Sequence, residues 1–235
     1  MHTGRQVFVV KLSGSIFGSP RIGDIIKTIR DALEAQKQLF LILVAGGGAT
    51  ARKYIQAGLD LGLDQATLDE LGILSSRLNA TLLAESLYPV ASRIIPKSLS
   101  EIAEQLEVLL HRSGSKIVII GGLHPGQSTN AVGALVAEKT RADLFINATD
   151  VGGVYDRDPG RYKEAILLEN VTPDRLSNIL GSESVQAGTY DLMDPVALKL
   201  ISRSRIATKI VKCDSSVLSK VFQGAKVGTT IVFET

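Results

Sequence analysis

The chain has 235 residues, of which 45% are hydrophobic and 21% charged, and its formal net charge is +2. This balance is ordinary for a globular protein. It excludes a disordered chain and, since no basic run occurs, a nucleic-acid partner. With no signal-peptide pattern, no apolar run long enough to span a bilayer and Cys213 as the single cysteine, we expect one soluble, cytoplasmic domain without a membrane partner.

Buried strands alternate with amphipathic helices along the chain. Hydrophobic runs predict strands over 7–10, 39–45, 88–95, 116–120, 143–148, 206–211 and 230–233. Apolar residues at spacings of three and four predict the helices between them, the longest over 64–86. Strands without a polar face are typical of sheets that helices cover on both sides. The predicted fold class is therefore α/β, a three-layer αβα sandwich with a largely parallel central sheet.

Individual residues mark several helix ends. Asp24 is a predicted N-cap, and Gly58 is the predicted end of the helix that follows the second strand. Ser98 and Glu101 have the spacing of a capping box. The 64–86 helix carries a leucine stripe that fits a core face and an interface equally well. Its members are Leu71, Leu74, Leu78 and Leu82.

Four predicted strands end in glycine or small polar residues. The four endings are Ser13-Gly14-Ser15, Gly46-Gly47-Gly48, Gly121-Gly122 and Thr149-Asp150. In a parallel sheet these ends lie at one edge, because each crossover helix returns the chain to the other side. A glycine turn before a helix offers backbone N–H groups to a phosphate, although a single turn of this kind also serves only to reverse the chain. Three of them at one edge predict a polyphosphate site.

Charged side chains accompany these turns. Lys11 ends an otherwise apolar strand, and because a buried ammonium group without a partner is costly, we expect a phosphate to be its partner. Asp150 would either orient that lysine or lie near a metal. Arg52 either clamps a phosphate or faces solvent, and Lys199 is either a second cation of the site or a solvated helix lysine. His124 is a candidate ligand contact from its loop.

Other catalytic signatures are missing from the sequence. It has no Gly-x-x-x-x-Gly-Lys-Ser/Thr motif and no Gly-x-Ser-x-Gly elbow, and its three histidines lack metal-ligand spacing. Glycine turns, lysines and an arginine suit phosphoryl transfer better than hydrolysis.

At these residues the sequence resembles the amino acid kinase family and, within it, the archaeal type of uridylate (UMP) kinase. The resemblance covers nearly the whole chain and rests on segments 11–15, 46–52, 71–80, 121–129, 149–159, 184–189 and 194–199. The glycine turns are shared across the family. The Leu71-Gly72-Ile73 helix and the loop from His124 to Thr129 are what point to uridylate kinase.

The resemblance implies an enzyme that transfers the γ-phosphoryl group of ATP to UMP in pyrimidine nucleotide biosynthesis. The implied catalytic residues are Lys11, Lys199 and Asp150. The implied ATP-binding residues are Gly14, Ser15, Gly48, Arg52, Thr149, Tyr155 and Asp158. The implied UMP-binding residues are Gly47, Asp69, Leu123, His124, Pro125, Gly126, Gln127, Ser128 and Thr129. Mg²⁺ would arrive with ATP rather than in a metal site built by the protein.

The resemblance also implies a single domain over 1–235, with an acceptor-binding lobe over about 1–158 and an ATP-binding lobe over about 159–235, a homohexamer and inhibition by UTP. Ser13, Asn130 and Gly152 depart from the residues most frequent in relatives. Asp150 stands where archaeal uridylate kinases commonly have Asn and carboxylate kinases have Asp. Two other hypotheses therefore stay open, a kinase acting on a carboxylate or carbamate and a non-catalytic nucleotide-binding protein.

Overall fold

Seven strands form one sheet in the computed structural model, which describes residues 4–111, 114–181 and 192–234. In chain order they are β1 (Gln6–Leu12), β2 (Leu39–Ala45), β3 (Ile117–Ile120), β4 (Leu144–Thr149), β5 (Asn170–Val171), β6 (Thr208–Lys212) and β7 (Thr229–Ile231). Their order across the sheet is β3-β2-β1-β4-β6-β7-β5, and every pairing is parallel except that of β6 with β7. The prediction of a largely parallel sheet is confirmed.

Helices cover both faces of this sheet. They are α1 (Arg21–Ala35), α2 (Gly48–Asp60), α3 (Gln65–Leu87), α4 (Leu99–His111), α5 (Thr129–Thr140), α6 (Pro173–Gly181), α7 (Pro195–Ser204) and α8 (Ser215–Phe222). One hydrophobic cluster joins α4, α5, α6 and α7 to one face, and a second cluster joins α1, α3 and α8 to the other. The three-layer αβα sandwich is therefore confirmed, with α2 packed on the outside of α3.

The central strands are buried from both sides. All seven residues of β2 are buried. In β1, Val7 and Val9 pack in one cluster, while Val10 and Leu12 pack in the other. Burying one such side chain is favourable by about 1.5–3 kcal/mol, so these runs anchor the middle of the sheet.

Two predicted helix starts agree with the hydrogen bonds at these positions. Asp64 is the N-cap of α3, and its carboxylate accepts a hydrogen bond from the Thr67 N–H at 3.0 Å. Ser98 Oγ accepts from the Glu101 N–H at 3.2 Å. The Glu101 carboxylate accepts in return from the N–H of Lys97 at 2.8 Å, one residue before the donor that a capping box predicts.

Two predicted helix ends are wrong. Helix α1 begins at Arg21, and Asp24 lies within its first turn rather than at its N-cap. Helix α2 continues past Gly58 to Asp60. A Cβ on Gly58 would lie 2.5 Å from Cδ2 of Leu68 in α3, so this glycine allows two helices to approach closely and does not end one.

The strand predicted over 88–95 does not form a ladder. Within this segment Ala91 makes an isolated parallel bridge to Ile117, beside β3. Backbone hydrogen bonds join Val90 and Ser92 to residues 116 and 117, and the side chain of Gln105 in α4 donates to the Ser92 hydroxyl at 2.6 Å. The sequence also gave no indication of β5, which is two residues long.

The leucine stripe of α3 faces solvent. Leu74, Leu78 and Leu82 are 61%, 63% and 49% exposed. The buried side of α3 includes Leu68, Ile73, Ser76, Asn79, Ala80 and Leu83. The core-face interpretation is therefore wrong for these three leucines, and the interface hypothesis stays open.

The sheet is continuous through both predicted lobes, since β1 to β4 lie before residue 158 and β5 to β7 lie after it. The division into an acceptor lobe and an ATP lobe stays a prediction. The motif segment 184–189 lies outside the described residues. Among the helices that are described, none combines the length and the apolar character needed to cross a bilayer.

Candidate active site

Two glycine turns touch each other at the carboxyl edge of the sheet. The turn after β1 is a short 3-10 helix, Gly14–Ile16, and the turn after β2 leads into α2. A Cβ on Gly14 would lie 2.2 Å from the backbone nitrogen of Gly48, and a Cβ on Gly46 would lie 2.6 Å from the nitrogen of Gly14. Only glycine lets the two backbones meet at this distance.

The first turn of α2 presents backbone N–H groups at this contact. Its N-cap is Gly47, which has no side chain to cap them, and Gly48 has a φ of +64°. Helix N-termini carry partial positive charge and bind phosphates through such groups. Arg52 lies one turn further along α2 and is exposed, so its guanidinium is available at the same edge.

The buried side of α3 fixes the turn after β2. Asn79 is 7% exposed, and its Nδ2 donates to the carbonyl oxygens of Gly46 at 2.7 Å and Gly47 at 3.3 Å. These carbonyls follow the last residue of β2, beyond the ladder of the sheet. The amide therefore holds the turn in the shape that brings it against Gly14.

The same helix fixes the turn after β3. Ser76 Oγ accepts a hydrogen bond from the Gly122 N–H at 2.7 Å. Arg77 donates through Nε to the Gly122 carbonyl at 3.1 Å and through a terminal nitrogen to the Leu123 carbonyl at 3.3 Å. A Cβ on Gly121 would lie 2.7 Å from the Arg77 nitrogen, so the backbones of turn and helix are in contact.

Ser76, Arg77 and Asn79 were absent from the predicted site. The available signal was the placement of polar residues on the buried side of an otherwise apolar helix, where an unpaired polar group is costly. Such residues need hydrogen-bond partners, and the backbone groups of the glycine turns, which are not paired within the sheet, supply them.

Asp150 binds the first glycine turn. Its Oδ1 accepts a hydrogen bond from Ser13 Oγ at 2.9 Å and another from Ser15 Oγ. Ser13 Oγ also accepts from the Ser15 N–H at 3.3 Å. The carboxylate thus joins the end of β4 to the turn after β1, and Ser13, which departs from the usual glycine, supplies one of the donors.

Lys11 lies between this turn and α5. It is partly exposed, it is in register with Asn147 on β4, and its Cβ lies 3.6 Å from where a Cβ on Gly133 of α5 would stand. The missing side chain at Gly133 leaves space for the ring of Phe145, whose Cε2 would lie 2.7 Å from a Cβ there, while Lys11 packs at ordinary contact distance. Burial raises the pKa of the nearby Cys213 thiol to about 11, and the positive charge of Lys11 opposes this rise.

The loop over 123–129 is tied to two other elements. The Gly126 N–H donates to Asp69 Oδ2 of α3 at 2.7 Å. Ser128 is the N-cap of α5, and its hydroxyl donates to Asp194 Oδ2. Since Asp194 is the N-cap of α7, the hydrogen bond brings two helix N-termini together at the site.

Within this loop the side chains differ in exposure. Leu123 is 4% exposed and its side chain packs in the core, so it contributes only its backbone to the site. His124 and Pro125 line a cavity of about 320 Å³ between the loop and α3, together with Arg77. Gln127 Oε1 is buried and has no hydrogen-bond partner among the described residues. Thr129 is the first residue of α5.

The predicted ATP-side residues after β4 form a compact set of turns. The Thr149 hydroxyl donates to the Val151 carbonyl at 3.0 Å. Asp158 is 2% exposed and accepts from the Gly160 N–H at 2.8 Å. A Cβ on Gly152 would lie 2.9 Å from the Tyr155 hydroxyl, so this glycine leaves room for the tyrosine.

Lys199 lies in the second turn of α7, and its side chain is exposed. Helix α7 starts at the carboxyl edge of the sheet, because it precedes the parallel strand β6. The structure therefore brings the glycine turns, Lys11, Asp150 and the 123–129 loop to one edge, and it places Arg52 and Lys199 near the first turns of helices that begin there.

Comparison with known proteins agrees with this fold. Residues 6–212 match the model of the amino acid kinase family, so the chain belongs to that family. Within it, the uridylate kinase of Sulfurisphaera tokodaii is 43% identical over 230 residues, which cover 95% of this chain and 97% of that protein. The uridylate kinase of Archaeoglobus fulgidus is 37% identical over 225 residues, covering 95% and 98%.

Solved structures show the same relationship. The crystal structure of uridylate kinase from Archaeoglobus fulgidus superposes with a TM-score of 0.84 at 35% identity, over 96% of this chain and 99% of that one. A UMP kinase from Bacillus anthracis superposes with a TM-score of 0.76 at 18% identity, over 98% and 97%, and shares the fold.

Proposed function

We propose that this protein transfers the γ-phosphoryl group of ATP to UMP, giving UDP and ADP, a step of pyrimidine nucleotide synthesis. The observation that supports the reaction class is the direct contact between the Gly14 and Gly48 turns, because two backbone turns of a kind suited to phosphate lie side by side there. The choice of UMP as acceptor rests on the full-length similarity to uridylate kinases.

The chemistry suits a site without a general base. A phosphate oxygen of UMP is already anionic, so it can attack the γ-phosphorus while the bond from that phosphorus to the ADP oxygen breaks, and no proton has to be removed. What remains is alignment and stabilisation of the negative charge on the transferred group. Lys11, Lys199 and Arg52 are the cations proposed for that task.

The two substrates divide the edge between them. ATP would lie on the side of Gly14, Ser15, Gly48, Arg52, Thr149, Tyr155 and Asp158. UMP would lie on the side of Gly47, Asp69 and the 123–129 loop, so Gly47 and Gly48 would separate the two phosphates. The buried Gln127 Oε1 is an acceptor without a hydrogen-bond donor among the described residues. The ribose hydroxyls or the uracil N3–H of UMP would supply such a donor.

Mg²⁺ would enter with ATP, since this ion keeps water and phosphate oxygens as most of its ligands. The exposed carboxylate of Asp150 beside the Ser13–Ser15 turn fits this role, because it could hold a water of the ion. The bound ion would neutralise charge on the ATP phosphates.

Assembly into a homohexamer, a cytoplasmic location and inhibition by UTP belong to the same proposal. The exposed stripe of Leu74, Leu78 and Leu82 supports a contact between copies, because contiguous apolar surface of this kind is usually covered. Inhibition by UTP would follow if its uridine moiety occupied the UMP side of the edge.

A carboxylate or carbamate acceptor is the second candidate, and Asp150 is the observation that favours it. In this structure the Asp150 carboxylate is engaged by Ser13 and Ser15, which gives it a role in shaping the turn whatever the acceptor is. The alternative would also need a cationic pocket for a carboxylate-bearing acceptor.

Coupled measurement of ADP release tests the proposal, with UMP, CMP, AMP, acetylglutamate and carbamate offered separately. We expect UMP to give the highest kcat/KM. ADP release with a carboxylate or carbamate and none with UMP would establish the second candidate. Absence of ADP release with every one of these acceptors would support a non-catalytic nucleotide-binding protein.

A further inference from the structure

Two buried amide oxygens near Lys11 lack a hydrogen-bond donor. They are Oδ1 of Asn147 on β4 and Oδ1 of Asn130 on α5, and neither has a partner among the described residues. Asn147 is fully buried and Asn130 is 6% exposed. An unpaired buried acceptor is destabilising, so groups of this kind are commonly paired by a bound water, a ligand or a side chain that moves during function.

The orientation of both amides is set by one carbonyl. Asn147 Nδ2 donates to the Leu192 carbonyl at 2.8 Å, and Asn130 Nδ2 donates to the same oxygen at 3.4 Å. Because the nitrogen of each amide faces Leu192, its oxygen is turned away from it. The acceptor positions therefore follow from these hydrogen bonds.

Lys11 is the lysine that strand register places beside Asn147. Lys11 and Asn147 are register partners on adjacent parallel strands, about 4.8 Å apart, and their side chains leave the same face of the sheet. The Lys11 Cβ packs at Gly133 of α5. Asn130 lies three residues before Gly133, one turn nearer the helix N-terminus and the site. The two amides thus flank the lysine stem on its way to the glycine turns.

We infer that Asn147 is a positioning residue for Lys11. Its Oδ1 accepts a hydrogen bond from the Lys11 ammonium group, directly or through one water, when phosphates occupy the site. The inference rests on the proposed function, in which Lys11 stabilises the transferred phosphoryl group. An ammonium group has three donors, so one bond to Asn147 leaves two for phosphate oxygens.

Steady-state kinetics of Asn147→Leu and Asn147→Asp, each alone and in a Lys11→Ala background, tests the inference. Both variants lose the donor to Leu192, but only Asn147→Asp keeps an oxygen toward Lys11. We expect Asn147→Leu to lower kcat about 10- to 100-fold with both KM values within about threefold, and Asn147→Asp to stay closer to the unmodified enzyme. In the Lys11→Ala background Asn147→Leu should change kcat by less than about twofold.

Thr208→Val is the matched control. Thr208 is 1% exposed on β6, at the end of that strand remote from the site, and its hydroxyl donates to the Ile206 carbonyl at 2.8 Å. Losing this buried hydrogen bond should lower the melting temperature and leave kcat unchanged. If Asn147→Leu melts below the assay temperature, Asn147→Ser replaces it in the test. Serine also removes the acceptor oxygen from the position of Asn147 Oδ1, with a smaller change of polarity, and the same kinetics are expected.

Two results would overturn the inference alone, with the proposed function intact. One is an equal loss of kcat from Asn147→Leu in both backgrounds, and the other is an Asn147→Asp enzyme as impaired as Asn147→Leu. Full turnover of Lys11→Ala by itself would instead remove Lys11 from the proposed mechanism, and the positioning role with it.

Discussion

A side chain on Gly48 would collide with the backbone of Gly14. A Cβ built on Gly48 lies 2.1 Å from the Gly14 carbonyl oxygen, and Gly48 also has a left-handed φ of +64°. Both observations require glycine, one for space and one for conformation. The two turns follow adjacent strands. Their contact therefore sets where the proposed donor and acceptor positions lie relative to each other.

Gly48→Ala should therefore separate the turns. We expect kcat/KM for UMP phosphorylation to fall by more than about 100-fold, because misplaced phosphates lose the alignment that the site supplies. Gly23→Ala is the control, since Gly23 lies in α1 with open space around its Cβ position. An unchanged kcat/KM in Gly48→Ala would show that the contact is not needed for turnover.

Lys11→Ala should remove most turnover and leave the fold intact. The substitution takes away a positive charge at the transferred group, and losses of about 100- to 1,000-fold in kcat are usual for such interactions. Circular dichroism and a thermal melt would show the retained fold. Lys27→Ala, which removes an exposed lysine of α1, should leave kcat unchanged. Equal activities of the two variants would contradict a catalytic role for Lys11.

Asn79→Leu should weaken both the protein and its site. Two carbonyl oxygens, of Gly46 and Gly47, lose their side-chain donor, and unpaired buried acceptors cost about 1–3 kcal/mol. For a chain of this length we expect a fall in Tm of several degrees, about 2–4 °C for each kcal/mol, together with a lower kcat. Thr81→Ala, which removes an exposed helix hydroxyl bonded to the Arg77 carbonyl, is the comparison on the same helix. A Tm that falls no further in Asn79→Leu than in Thr81→Ala would argue against a role for Asn79 in holding the turn after β2.

Leu78→Glu should disrupt the assembly. Leu78 is 63% exposed at the centre of the α3 stripe, so a charge there would be buried on association without a partner. Light scattering after size exclusion should show six times the 25.1 kDa chain mass for the unmodified protein and a smaller particle for the variant. The exposed-site control Lys27→Glu should keep the larger mass. A hexamer that survives Leu78→Glu would place the interface elsewhere.

Cys213 should react slowly in the folded protein. The thiolate is the nucleophile, and burial raises the thiol pKa from 9.0 to about 11, so alkylation by iodoacetamide at pH 8 should be far slower than after unfolding in urea. Because the unfolded chain ionises first, the folded state should lose stability as the pH rises from about 9 to about 11. Rapid alkylation of the folded protein at pH 8 would contradict this environment.

Local patterns identified most of the strands. The run Leu39–Ala45 predicted its strand correctly because burial on both faces demands unbroken apolar residues. Lys11 and Asp150 stood out since charges at the ends of such strands need partners. The predictions for Asp24 and Gly58 were wrong because they judged a cap by residue type alone. Gly58 instead lets α2 and α3 approach closely, which depends on where α3 packs.

What the sequence by itself determined is the layered fold and the edge at which the glycine turns gather, because apolar periodicity and the crossover rule are properties of chain segments. Only the tertiary structure decided that the Gly14 and Gly48 backbones touch, that Asn79 and Arg77 hold the turns, and that the leucine stripe faces solvent. These depend on strand order, register and helix rotation, which arise from packing between residues far apart in the chain.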